Sequence, residues 1–185
     1  IMDKGMFELL EKSSNKILSR DKATLQSLIK RNIELKKEIV EEDADENGLR
    51  QVLNFGHTFG HALESYYKYK IKHGYAVSQG ILVESKISVA ANNLTQNEEE
   101  RIRKLIRLFG FPLTVNLDVK TSKIIELMKS DKKSRNGKPR FVLIDAIGRA
   151  KSKDCIFSFE ADSRLIGEAI EKCKDEYDKK SGKLI

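Results

Sequence analysis

The three histidines of this 185-residue chain all lie between positions 57 and 73, in a stretch whose apolar residues recur at helical spacing. His57 and His61 are four residues apart, so a helix places them on one face, about one turn from each other. The whole polar face of this helix, predicted from about 49 to 69, comprises Arg50, Asn54, His57, His61 and Glu64. Apolar residues cover its other sides, which predicts burial. A polar stripe on such a helix is expected to line a cavity, because buried polar groups need partners.

A histidine pair at this spacing, with a third histidine nearby, is typical of a metal site. Residue 58 is Thr, so the chain lacks the glutamate of the metalloprotease helix H-E-x-x-H, which disfavours a peptidase. The alternative is that each histidine is a hydrogen-bonded core residue. The clustering of three histidines makes this alternative weaker than a metal site. From the residues alone, His57, His61 and His73 would bind a catalytic zinc and leave a fourth position open.

Apolar periodicity elsewhere predicts a mainly α fold, a multi-helical domain with one small β-hairpin. Asp21 is the expected N-cap of a long second helix, and Thr95 with Glu98 predicts a capping box. The other predicted helices cover a first segment from about 7 to 18, then 49–69, 74–92, the region around 124–128, and a last segment from 162 or 163 onward. Residues 140–145 and 150–156 predict the two hairpin strands.

The formal charge of +7 raises the alternative of a basic helical module that binds nucleic acid. Lysines are spread along the chain, and few aromatic residues are interleaved with them, so a stacking platform for single strands is disfavoured. The densest basic cluster, from Lys132 to Arg140, suits a small anionic substrate equally well. We therefore expect neither nucleic acid nor membrane as a partner, since no run approaches the roughly 20 apolar residues of a membrane span.

The two cysteines, Cys155 and Cys173, have no metal-type spacing and suit a reducing compartment. The chain shows no charged-then-apolar signal segment at its start. Cytoplasmic localisation is the expectation from these two observations.

Three segments together resemble 3-dehydroquinate synthases. Residues 48–64, G-L-R-Q-V-L-N-F-G-H-T-F-G-H-A-L-E, resemble the signature of that family. His73-Gly74, followed by Ala76-Val77 and Gly80, is similar to its second metal segment, and 131–133 ahead of 140–148 is similar to its late basic segment. The resemblance covers nearly the whole chain.

This resemblance implies a two-domain enzyme that converts 3-deoxy-D-arabino-heptulosonate 7-phosphate to 3-dehydroquinate and phosphate in the shikimate pathway. Residues 1–185 would be the helical C-terminal domain that binds metal and substrate, and the N-terminal NAD-binding domain would be absent from this chain. The implied activity is that of a phosphate-eliminating lyase. Its cofactors would be NAD⁺ and Zn²⁺, or another divalent metal such as Co²⁺, and its assembly a homodimer.

Carried over by position, the resemblance assigns the metal to His57 and His73, with a glutamate upstream of Ile1 as third ligand. It thereby replaces His61 as a ligand and gives that residue a role in substrate contact and proton transfer. The other implied substrate-binding residues are Lys36, Arg50, Asn54 and Lys132. Glu46 matches an acidic catalytic position that is expected to orient a histidine.

Two departures from the family pattern qualify this assignment. The upstream glutamate would precede Ile1, so this piece alone is expected to be inactive and to bind zinc weakly. Tyr75 stands where the family usually has Glu, which keeps open a related cyclase that makes a cyclitol such as an inosose or valiolone. Lys36, Arg50 and Asn54 together favour the dehydroquinate enzyme, because a substrate with carboxylate and phosphate suits cationic and amide partners.

Overall fold

The structure is a computed structural model that describes residues 2–113, 118–130 and 137–178. Its helices, in chain order, are α1 (Lys4–Lys12), α2 (Ser14–Leu18), α3 (Lys22–Glu42), a 3-10 helix (Leu49–Asn54), α4 (His57–Tyr66), α5 (His73–Ala90), α6 (Gln96–Leu108), α7 (Thr121–Ser130) and α8 (Ser163–Asp178). The strands are β1 (Arg140–Phe141), β2 (Ile144–Ala146), β3 (Arg149–Ala150) and β4 (Phe159–Glu160). The predicted fold class, mainly α with a small β element, is confirmed.

Local sequence signals set several helix ends as predicted. The Asp21 carboxylate accepts a hydrogen bond from the backbone N–H of Thr24 at 2.9 Å and begins α3. Thr95 and Glu98 form a reciprocal capping box that begins α6. The predicted first helix is divided, because Ser13 adopts a non-helical conformation between α1 and α2.

The prediction of one continuous helix from 49 to 69 is wrong. The chain forms the 3-10 helix, turns at Gly56 with a φ of 79°, and only then begins α4. A β-carbon on Gly56 would lie 2.7 Å from the Ile81 side chain and 2.8 Å from the Val77 carbonyl oxygen of α5. The close approach of α5 thus leaves no room for a side chain at this position, and the left-handed conformation there also favours glycine. Arg50 and Asn54 are therefore out of helical register with His57.

The predicted hairpin is shorter than expected, and a second strand pair accompanies it. Strand β2 pairs with β3 around Gly148, whereas β1 pairs with β4, so the run from 140 to 146 changes partner midway. The side chains of Val142, Leu143 and Ile144 are all buried, which removes the one-sided alternation of a simple hairpin strand. Beyond β3, only an isolated bridge between Lys153 and Ile156 continues the predicted second strand.

Helix α5 lies at the centre of the domain and packs on α4, α6, α8 and β2. Its buried residues occur on all sides, as expected of a helix enclosed by others. A β-carbon on Gly80 would lie 1.9 Å from the carbonyl oxygen of Gly56, so the two backbones touch where α4 begins. This contact fixes the start of α4 against α5. Within the described residues, no helix has the length and apolar character needed to cross a membrane.

Candidate metal centre

The structure brings the three histidines together from two helices. His57 is the first residue of α4, His61 lies one turn later, and His73 is the first residue of α5. The ring centroid of His57 is 5.4 Å from that of His61 and 5.3 Å from that of His73, and the latter two rings are 6.1 Å apart. Their convergence, expected from clustering in sequence, therefore depends on the packing of α4 on α5.

Two of the histidines have their Nδ1 atoms engaged by oxygen. His57 Nδ1 lies 3.2 Å from the carbonyl oxygen of Phe55, and His73 Nδ1 lies 3.1 Å from Glu64 Oε1. A ring that donates its Nδ1–H to an oxygen keeps Nε2 unprotonated for a metal, and metal-binding histidines are usually oriented in this way. The tautomers are assigned from these partners. His57 and His73 thus share the contact between Nδ1 and an oxygen that commonly orients metal-binding rings.

Glu64 is a functional candidate for which the sequence pattern predicts no specific role. Its side chain is 15% exposed, and its contact with His73 joins α4 to α5. Ligand atoms of His61, Glu64 and His73 all lie within 4.8 Å of one another. Imidazole nitrogen and carboxylate oxygen suit Zn²⁺ or Co²⁺, but Oε1 of Glu64 is in contact with Nδ1 of His73, which makes Glu64 a partner that orients this ring. The sequence signal that points to Glu64 is its position on the predicted polar face, three residues after His61.

Arg50, Asn54 and Glu46 form a second group in and before the 3-10 helix. Asn54 Nδ2 donates to Glu46 Oε1 at 2.6 Å, and Glu46 has a φ of 59°. The Arg50 guanidinium donates to the carbonyl oxygen of Ala44 at 2.7 Å. The expected action of Glu46 on a histidine stays a prediction, because the hydrogen bond described here joins it to Asn54.

Asp43 organises the loop that carries this second group. Its carboxylate accepts backbone N–H bonds from Arg50 at 2.9 Å, Gly48 at 2.8 Å and Asn47 at 3.1 Å. The N–H groups of Arg50 and Gly48 are the main reason that the pKa of Asp43 lies below its ordinary value. A charged Asp43 therefore holds the backbone of Arg50 in place.

The remaining predicted substrate-binding residues are Lys36 and Lys132. Lys36 is exposed on α3, which packs against the 3-10 helix that carries Arg50 and Asn54. Lys132 lies outside the described residues. Tyr75, beside His73, is 39% exposed, and its ring stands at an angle to that of Phe111 with centroids 5.6 Å apart.

An apolar cavity of about 390 Å³ lies on one side of His57. Val52, Phe55, Ile81 and Ile144 are among the residues that line it, and His57 contributes a polar edge. A sugar phosphate needs cationic and hydrogen-bonding partners, which this lining lacks. This cavity is therefore a poor candidate for the substrate site.

Comparison with known proteins agrees with the resemblance to 3-dehydroquinate synthases. Residues 1–134 match the model of the family described as 3-dehydroquinate synthase C-terminal. The chain is 41% identical over 152 residues to a 3-dehydroquinate synthase of Thermodesulfovibrio yellowstonii, covering 82% of this chain and 42% of that protein. A second, from Nitrosomonas europaea, is 40% identical over 157 residues, 84% of this chain and 42% of that protein. The chain thus spans about two fifths of the length of these relatives.

Solved structures of similar fold include two cyclases. A 2-epi-5-epi-valiolone synthase from Streptomyces hygroscopicus, solved with NAD⁺ and Zn²⁺, gives a TM-score of 0.78 at 21% identity, over 92% of this chain and 46% of that one. A 2-deoxy-scyllo-inosose synthase, solved with carbaglucose-6-phosphate, NAD⁺ and Co²⁺, gives 0.72 at 22% identity, over 82% and 41%. At such identity these two show a shared fold. With the match of residues 1–134, the chain belongs to the 3-dehydroquinate synthase family and corresponds to its C-terminal part.

Proposed function

We propose that the full-length protein is a 3-dehydroquinate synthase and that residues 1–185 form its helical metal- and substrate-binding domain. The observation that carries this proposal is the pair formed by His57 and His73, each with Nδ1 held by an oxygen in the manner of a metal ligand. The two relatives that are 40–41% identical to this chain over the aligned residues bear that name. The reaction would release phosphate from the heptulosonate phosphate and close the carbocycle.

His57 and His73 would hold Zn²⁺ or Co²⁺ through Nε2, with a glutamate from the upstream part of the protein as third ligand. A bound divalent metal supplies Lewis acidity to a substrate oxygen. NAD⁺ would be held by an N-terminal domain, since both solved cyclases of this fold contain it. The proposed protein is located in the cytoplasm and assembles as a homodimer.

His61 would move a proton on the bound substrate. Its ring centroid lies 5.4 Å from that of His57, so an oxygen held near that ligand is within reach of a His61 nitrogen. Asn54 and Arg50 would bind the polar groups of the substrate, and their positions are set by Glu46 and Asp43 respectively. Lys36 and Lys132 would add charge for its phosphate and carboxylate.

Glu64 should act on the metal through His73. We expect Glu64→Ala in the full-length protein to lower zinc affinity about 10- to 100-fold, because loss of an outer partner releases the ligand ring. Zinc affinity would be measured by competition with a chelator. Glu168→Ala is the control, since it removes a carboxylate from an exposed ion pair with Arg164 on α8. Equal affinities in the two variants would contradict this role.

Tyr75 favours one second candidate, a sugar phosphate cyclase that makes a cyclitol. A tyrosine beside His73 has neither the charge nor the size of the glutamate that is usual there, and its ring packs on Phe111 instead. Such an enzyme would use the same metal ligands but a substrate without the carboxylate. The two candidates therefore differ in substrate and not in metal chemistry.

The deciding experiment uses the full-length protein with the heptulosonate phosphate, NAD⁺ and Zn²⁺. We expect phosphate release, with dehydroquinate as product, that a chelator stops and added zinc restores. Folded protein that holds metal and NAD⁺ but releases no phosphate would contradict the proposal. Turnover of a hexose phosphate or heptulose phosphate without carboxylate would then support the cyclitol cyclase, and Tyr75→Glu would be the first variant to assay.

A further inference from the structure

Glu84 is a carboxylic acid enclosed in the core of the domain. It lies in the middle of α5, and its side chain is fully buried. Among the described residues, no donor lies at hydrogen-bonding distance and angle from either of its carboxyl oxygens. Burying such a group is costly unless nearby dipoles offset the loss of water. A buried carboxyl group in this position therefore calls for an explanation.

The first turn of α4 supplies the dipoles that face this carboxyl group. Burial raises the pKa of Glu84 well above its usual range, and the backbone N–H groups of Gly56, Phe59 and Thr58 oppose that rise. The first N–H groups of a helix have no partner within the helix and carry partial positive charge. Gly56, the N-cap residue of α4, makes no side-chain cap. Gly80, one turn before Glu84 on the same face of α5, lies against the backbone of Gly56, so the carboxyl group of Glu84 extends from α5 toward the first turn of α4.

The turn that faces Glu84 is the turn that carries His57. Thr58 and Phe59 follow this histidine directly, and its ring is set by the nearby carbonyl of Phe55. Thr58 also donates through Oγ1 to the carbonyl oxygen of Arg140 at 2.7 Å, which ties the same turn to β1. Contacts from α5 and β1 therefore hold the first turn of α4 from two sides.

We infer that Glu84 is a positioning residue that caps α4 from the neighbouring helix and thereby holds His57 in its metal-binding orientation. This inference rests on the proposed role of His57 as a metal ligand. Glu84 touches neither metal nor substrate in this account. It acts through the backbone, in contrast to Glu64, which acts on the ring of His73.

The test compares two Glu84 variants of the full-length protein. Glu84→Met keeps the length of the side chain and removes every acceptor, whereas Glu84→Gln keeps one carbonyl oxygen. We expect Glu84→Met to lower Co²⁺ affinity about 10-fold or more and to change the visible spectrum of the bound cobalt. We expect Glu84→Gln to stay within about threefold of the wild type, because its carbonyl dipole still faces the N–H groups of the first turn of α4. Ile170→Val, in the same core on α8, is the control for general loss of stability.

Hydrogen exchange gives a readout that does not depend on metal. In the metal-free protein, Glu84→Met should speed amide exchange at Thr58 and Phe59, and Ile170→Val should not. Unchanged exchange at Thr58 and Phe59 in Glu84→Met would overturn the capping role. So would cobalt binding by Glu84→Gln that is as weak as that by Glu84→Met. A wild-type protein that binds no cobalt would instead refute the proposed metal function, while the exchange result would still decide the capping role.

Discussion

His57→Ala in the full-length protein is expected to abolish phosphate release and to lower zinc affinity by more than about 100-fold, since loss of an outer partner alone costs 10- to 100-fold. The substitution removes one nitrogen from a proposed set of three ligands, and a stable site needs all three. His57 also begins α4, and its ring is oriented by the Phe55 carbonyl at 3.2 Å. Metal content after dialysis and phosphate release would be measured on the same sample.

His61→Ala is the matched control, because its ring lies 5.4 Å from that of His57 and on the same helix. We expect this variant to keep its zinc and to lose about 10²- to 10⁴-fold in turnover, the usual contribution of a proton-transferring group. If His61→Ala loses its zinc as His57→Ala does, the assignment from the resemblance is wrong. The three-histidine site expected from the residues alone would then be favoured.

The sequence was sufficient for the features that depend on neighbouring residues. Asp21 and Thr95 cap their helices as predicted, because an N-cap hydrogen bond spans only three residues. The clustering of the histidines in sequence also led directly to their clustering in space. The mainly helical fold follows from apolar periodicity that extends over whole helices.

Features set by contacts between distant segments could not be predicted from sequence alone. The break at Gly56 results from the approach of α5, so a helical pattern running through residues 49–69 gave no sign of it. Glu64 gains its role from His73, nine residues ahead and on another helix. The only signal for Glu84 was a charged residue within the apolar run of α5, which periodicity alone assigns to no partner.

Gly80→Ala should be the most destabilising of the small substitutions considered, because the added methyl group would lie 1.9 Å from the carbonyl oxygen of Gly56. Backbone cannot rotate aside as a side chain does, so α5 must move away from the start of α4. Alanine is favoured over glycine in a helix by about 1 kcal/mol, but overpacking costs about 1–3 kcal/mol and occasionally more, and a clash with backbone belongs at the upper end. The net expectation is a loss of at least about 2 kcal/mol, or about 4–8 °C in thermal midpoint for a domain of this size.

Gly167→Ala on α8 is the control, since its added methyl group would meet Thr121 and Ile125 at ordinary distances of 3.9 and 4.0 Å. Because the added methyl group meets no clash, the higher helix propensity of alanine determines the outcome. We expect Gly167→Ala to be more stable than the wild type by about 0.5–1 kcal/mol. Thermal unfolding of both variants would be compared with zinc affinity measured well below the transition.

The movement of α5 also carries His73 away from His57, so Gly80→Ala should weaken zinc binding even where the protein is folded. A folded Gly80→Ala variant with wild-type stability and zinc affinity would show that the Gly56 contact does not set the distance between the two ligands.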